Sequence, residues 1–373
     1  MRDRRLNVLC LTRYDKNGSS SRYRFYQFLP ALDSAGIQVS VSPLLPPNYV
    51  SNLFQGRSIP AWNLAKAMGS RLLQVARARQ YEVLWIEKEL LPFLPATIEG
   101  WLARLRIPYV VDYDDATFHQ YDRHPQAFVR AFLGRKIDKV MAGAALVIAG
   151  NAYLAARAHA AGAKHVEILP TVVDLERYPK TSAPRSANGP FTIGWIGSPI
   201  TEFLLTEIAP VLGSFASQTS AKLTAIGTRP NFSMPGVPVS VVTWSELTES
   251  KELAACDVGI MPLNEEPWMR GKCGLKLIQY MASSLPVVGS RTEANSEIVA
   301  HNETGFLADT AEDWLRSLQT LSADPGLRQR MGSAGRTRVE KTYSLQAVAP
   351  KLVGLFEGLR PSRRRSHHSL SMG

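Results

Sequence analysis

The sequence predicts an α/β protein of two Rossmann-like, doubly wound domains facing a central cleft. Three observations point there. A chain of 373 residues is too long for one ordinary core. Short β-branched runs alternate with helical apolar patterns, as parallel sheets covered on both faces require. The alternation stops once, at PKTSAPRSANGP (179–190), which has no apolar period, and then begins again.

In the first domain (1–178) strands are expected at 5–12, 37–42, 82–86, 107–112, 144–149 and 165–169, with helices near 22–35, 63–80, 94–106, 126–142 and 151–162. After the linker at 179–190, the second domain (191–343) is expected to place strands at 191–196, 222–227, 238–242, 257–262, 286–290 and 305–308. Its helices fall near 200–216, 274–284 and 325–341. A last helix occupies 344–359, and the tail 360–373 is basic, poor in apolar residues and expected to be disordered.

Composition narrows the function. With 45% hydrophobic and 20% charged residues the chain is globular, and no apolar run reaches the length of a membrane span. Three scattered cysteines, Cys10, Cys256 and Cys273, form no metal spacing and suit a reducing, cytoplasmic location; no signal peptide is expected. Residues 1–180 carry 24 Lys and Arg against 15 Asp and Glu, a net +9, whereas 181–359 carry −2. That asymmetry suits either an anionic surface, such as the cytoplasmic face of a membrane, or a plain solvated basic face. Neither a G-x-G-x-x-G fingerprint after the first strand, nor a Walker A loop, nor a G-x-S-x-G elbow is present. No nucleic-acid partner is expected.

Doubly wound sheets hold ligands beyond the carboxyl ends of their strands. At the start of the second domain the run FTIGWIGSPIT reads as strand, turn and helix. Gly197 allows close approach, Ser198 is a candidate N-cap and Pro199 a first helical residue. The same pattern fits any well-capped βα turn. The segment RGKCGLKLIQYMASS is more telling. Arg270, Lys272 and Lys276 crowd the start of a helix, where the dipole is already positive, and a diphosphate would offset them. The plainer alternative is lysine heads reaching into water. In the first domain DYDDA, with Asp112, Asp114 and Asp115, follows a strand and faces the cleft, with His119 close behind. Those aspartates suit acceptor contacts, turn formation or, less well, a metal. Ser21 and Arg22 follow the first strand and suit the acceptor. The helix near 63–80 has Lys66, Arg71, Arg77 and Arg79 on one face and Leu64, Met68, Leu72 and Val75 on the other. It suits ordinary packing or, with Trp62, an anionic membrane.

Taken together, AALVIAGNAYLAARAHAAGAKHVEILPTVVDLERY, GKCGLKLIQYMASSLPVVGS, NSEIVAHNETGFLAD, SSRYRFYQFLPAL, DYDDA and ADPGLRQRMGSAGRTRVEKTYS resemble the retaining family 4 (group 1) glycosyltransferases over nearly the whole chain. The resemblance implies the GT-B architecture, a nucleotide-diphosphate sugar bound mainly by the second domain and an acceptor bound mainly by the first. It also implies no catalytic metal or other cofactor, retention at the anomeric carbon and a last helix crossing back to the first domain. Two departures stand out. Of the family's two Glu eight positions apart, the later corresponds to Gln279 and the earlier to Gly271. The family's Arg and Lys after the first strand of the second domain are replaced by Ser198–Thr201, SPIT. The expected donor set is Gly197, Ser198, Thr201, Trp244, Lys272, Lys276, Gln279 and Glu297. Ser21 and Arg22 are expected at the acceptor, and Asp114, Asp115 and His119 in catalysis. The expected activity is sugar transfer to a glycan or lipid-linked acceptor in cell-surface glycan synthesis. A non-hydrolysing nucleotide-sugar epimerase and a non-catalytic sugar-nucleotide-binding protein are the other readings.

Overall fold

The computed structural model describes residues 5–47, 49–54, 57, 60–180 and 189–360. Most of the expected linker (181–188) and nearly all of the expected tail (361–373) lie outside the described residues.

Two six-stranded parallel sheets organise the chain. The first contains β1 (Leu6–Thr12), β2 (Ile37–Pro43), β3 (Val83–Glu87), β4 (Tyr109–Tyr113), β5 (Leu146–Ala149) and β6 (Val166–Ile168) in the order β2-β1-β3-β4-β5-β6. The second contains β7 (Thr192–Ile196), β8 (Lys222–Ile226), β9 (Val239–Val242), β10 (Val258–Met261), β11 (Val287–Ser290) and β12 (Gly305–Ala308) in the order β12-β11-β10-β7-β8-β9. Strand order reverses between β1 and β3 and between β7 and β10, so each sheet has one switch point where ligands gather. The central strands read as unbroken apolar runs because both faces are covered. Leu9, Leu11, Leu84 and Ile86 enter one core of the first domain, while Val8, Cys10, Val83 and Trp85 enter the other.

Several expected helices are divided. The one expected at 126–142 is two, Ala127–Leu133 and Lys136–Gly143. The one expected at 200–216 starts only at Phe203 and restarts as Ala209–Gln218, with Pro210, which has no N–H to give, in its first turn. Ser198 is therefore not an N-cap: residues 198–201 form a turn closed by the Thr201 N–H donating to the Ser198 carbonyl at 2.9 Å. The helix Ala311–Ala323 was not expected, although Thr310 and Asp313 form its capping box. On the helix Ala61–Ala76 the expected faces hold only in part: Val75 is buried, Met68 packs against the core, and Lys66 is exposed, as expected. Arg71 is buried and donates to the Thr12 and Ser42 carbonyls, whereas Trp62, Leu64, Leu72 and Leu73 are exposed.

The last helix, Leu345–Gly358, begins where the Ser344 hydroxyl accepts the Ala347 N–H. It returns to the first domain, burying Val348, Leu352 and Phe356 beside β3 and β4. Phe356 meets the Trp85 ring edge-on at 5.1 Å, and Lys351 Nζ donates to the Ile168 carbonyl at 3.0 Å. Truncating a fully buried phenylalanine costs about 3–5 kcal/mol. Phe356→Ala should therefore lower the urea midpoint followed by tryptophan fluorescence; an unchanged midpoint would show that the last helix is not part of the first domain's core.

Candidate functional site

Between the two switch points lies a cavity of about 390 Å³, lined from both domains. Its second-domain side is built from the ends of β7 and β10 and from the loop and helix that follow residue 271. A Cβ on Gly197 would sit 2.2 Å from the Trp195 ring, so glycine at this position makes room for the indole. The Lys276 ammonium lies 4.3 Å from the centroid of that same ring. Burial, and secondarily the Lys272 ammonium, push the Lys276 pKa down to about 7. Lys272 donates to Asp115 Oδ2 at 3.0 Å across the seam between domains.

Gly271, where the resembling family has a glutamate, packs against the first domain. A Cβ there would lie 2.5 Å from the Ala116 Cβ and 2.6 Å from its backbone nitrogen. No side chain fits, so the departure follows from how closely the two domains approach. Gln279 is buried, lines the cavity and donates through Nε2 to the hydroxyls of Tyr23 and Tyr178 at 3.1 Å each. Trp244 also lines the cavity. Its Nε1 donates to Glu249 at 2.8 Å, and the Arg22 guanidinium stacks 4.6 Å from its ring. Ser198 and Thr201 line the cavity as parts of a turn.

The first-domain side presents Tyr14, Ser20, Arg22, Lys88, Asp114 and Asp115. Lys88 Nζ lies 2.9 Å from Asp114 Oδ1. Burial alone would raise the Asp114 carboxyl, but the facing Lys88 ammonium outweighs it and holds the group below the usual carboxylate range. Asp112 lies beneath this layer, ion-paired with buried Arg24 at 2.8 Å, and burial pushes it up to about 6.

Three expected residues lie elsewhere. His119 does not line the cavity: Nδ1 meets Asp122 at 2.8 Å and Nε2 meets the Tyr153 hydroxyl at 2.8 Å, so both ring nitrogens are occupied. Ser21 is fully buried, donating to Glu87 at 2.6 Å and accepting the Tyr14 N–H, and so serves the first domain's interior. Glu297 is exposed outside the cavity, with its carboxylate at the Ala152 N–H. Conversely, Lys88, Tyr23 and Glu249 line the cavity without having been singled out. Lys88 directly follows β3 at a φ of +64°, a strand-end position open to the same argument as residues 197 and 114. Of the partners of Glu249 only Trp244 is near in sequence; Tyr23 lies 226 positions away. Among the described residues no three His, Cys, Asp or Glu gather as metal ligands.

A family model described as "Glycosyl transferases group 1" matches residues 191–324. Sulfoquinovosyl transferase SQD2 of Arabidopsis thaliana is 32% identical over 124 residues, 32% of this chain and 23% of that protein. The lipopolysaccharide core biosynthesis glycosyltransferase LpsE of Rhizobium meliloti is 30% identical over 106 residues, 28% of this chain and 30% of that protein. The chain thus matches less than a third of the length of these relatives. Among solved structures, sucrose-phosphate synthase of Thermosynechococcus elongatus superposes with a TM-score of 0.71 at 17% identity, covering 95% of this chain and 99% of that one. Anabaena HepE in complex with UDP-glucose superposes at 0.67 and 15% identity, covering 95% and 100%. The two parallel sheets have the GT-B arrangement, and the second domain is similar in sequence to the group 1 glycosyl transferases.

Proposed function

We propose that this protein transfers a sugar, with retention, from a nucleotide-diphosphate sugar to a glycan or lipid-linked acceptor in cell-surface glycan synthesis. The observation that carries this reading is Lys276. It is a cation held against Trp195 at the cavity wall, with Lys272 as its charged neighbour and no carboxylate of the described residues paired with it. Such a site favours an anion, and a diphosphate would occupy both lysines. In this reading Lys272 exchanges Asp115 for phosphate, and the two ammonium groups stabilise the charge that develops on the departing nucleoside diphosphate. Asp114, held ionised by Lys88, faces the incoming acceptor hydroxyl together with Asp115. Trp244, Gln279 and the 197–201 turn form the nucleoside end. His119, Ser21 and Glu297 take no direct part. HepE, bound to UDP-glucose in a similar fold, supports a nucleotide sugar as donor. The cytoplasm, where such donors are made, is the proposed location.

Lysine charge is expected to replace a divalent ion, so turnover with cell-envelope extract as acceptor should continue in chelator; loss restored by manganese or magnesium would refute metal independence. Lys272→Ala or Lys276→Ala should reduce nucleoside-diphosphate binding or turnover about ten- to a thousand-fold, the range for losing a transition-state charge partner. Unchanged kinetics in both variants would overturn the assignment. Binding without sugar transfer would favour a non-catalytic role, and isomerisation without acceptor an epimerase.

The Lys276 titration supplies an independent check. Because its pKa is lowered to about 7 in the free protein, part of the population is neutral at and above that pH. A bound anion favours the charged form, so binding takes up a proton and weakens as pH rises above 7. Calorimetry of UDP binding in buffers of different ionisation enthalpy should record that uptake, and Lys276→Met should abolish it.

The exposed Trp62, Leu64, Leu72 and Leu73, with Lys66, Arg77 and Arg79 nearby, suit peripheral contact with an anionic membrane. Each basic residue near such a surface contributes about 1 kcal/mol, screened by salt. Co-sedimentation with anionic vesicles should fall with salt and with Trp62→Ala, while UDP affinity stays constant; indifference to vesicles at low salt would leave this helix a solvent face.

A further inference from the structure

The nucleoside end of the cavity contains a hydrogen-bond network gathered on Glu249. The hydroxyls of Tyr23 and Tyr178 lie 3.0 and 2.8 Å from Glu249 Oε1. A carboxylate only accepts, so both phenol protons point at Glu249. Each hydroxyl oxygen is then free only to accept. Gln279 Nε2 stands 3.1 Å from each of them and has two hydrogens, one for each. Trp244 Nε1 and Arg177 complete the set of donors around Glu249, at 2.8 and 2.9 Å. Glu249 and Gln279 are both buried. Burial first, and Glu249 second, push the Tyr23 hydroxyl up to about 12, which keeps its proton in place.

A carboxylate at position 279 would have to draw a phenol proton away from Glu249 and would add a second negative charge beside it. The amide is therefore what its surroundings favour. We propose that Glu249 is a positioning residue that carries the negative charge of this end of the cavity and thereby sets the preference for glutamine at 279. The proposal rests on the donor-site reading given above. It also ties that site to the first domain, because Tyr23 belongs to the helix that follows β1.

The test is a charge exchange. Gln279→Glu, Glu249→Gln and the double variant are compared by calorimetric titration with UDP, GDP and ADP, and by thermal unfolding. Gln279→Glu should weaken the nucleotide that the wild type binds by about tenfold or more at pH 8, the cost of a buried polar group left without its partner. The double variant, with the proton pattern mirrored, should regain most of the affinity and melting temperature lost by Gln279→Glu. If the wild type binds none of the three nucleotides, the donor reading fails. The exchange is then judged on melting temperature alone, where Gln279→Glu should fall and the double variant recover. A Gln279→Glu protein as stable and as tight-binding as wild type at pH 8 overturns the proposal. So does a double variant no better than the worse single variant in either measurement.

Discussion

The contact on which the site depends is the approach of the 271–273 loop to the first domain. Gly271 lies on the Ala116 backbone with no room for a side-chain atom. The Lys272 carbonyl accepts from Asn151 Nδ2 at 3.1 Å, its ammonium meets Asp115, and Cys273 packs against Gly150. One loop of the second domain is thus fastened to the ends of both β4 and β5. The cavity's width, the position of both lysines and the absence of a glutamate at 271 all follow from that fastening. A larger residue at 271 would push the domains apart before it altered any chemistry.

Charge pairing sets the character of the cavity. The first domain meets Lys88 with Asp114, Arg24 with Asp112 and Lys136 with Glu89, all at buried or nearly buried positions. Removing one member of such a pair leaves the other uncompensated, which is costly in a low-dielectric interior. Against this background of matched charges Lys276 stands apart, resting on an indole face instead of a carboxylate. An ammonium in that setting has lost water without gaining an anion, so the free protein holds an unmet electrostatic demand, which the proposed diphosphate would satisfy.

Much of this was legible in the sequence, because periodicity and strand-end position are local properties. The alternation of strands and helices located all twelve strands of the described residues to within a residue or two, and RGKCGLK marked the lysines that line the cavity. What stayed hidden is non-local. That Ser21 would turn inward to Glu87, and His119 toward Tyr153, depends on neighbours 66 and 34 positions away. Glu249 gathers Tyr23 and the adjacent Arg177 and Tyr178 from distant parts of the chain, besides its near neighbour Trp244. The helix Ala61–Ala76 misled for another reason. Its arginine at 71 reaches inward to the Thr12 and Ser42 carbonyls, a contact that no pattern of apolar residues reveals.

The return of the last helix also governs the order in which the protein can be made. The pocket beside Trp85 is closed by Phe356, some 270 residues later in the chain. During synthesis the first sheet can pair its strands as they emerge, but one flank of its core stays open to water until the second domain has been built and the final helix has left the ribosome. The amino-terminal domain is then the first to begin folding and the last to finish. Throughout that interval the apolar surface around Phe25, Phe28 and Trp85 lacks its cover, and a nascent-chain chaperone would have most reason to bind there.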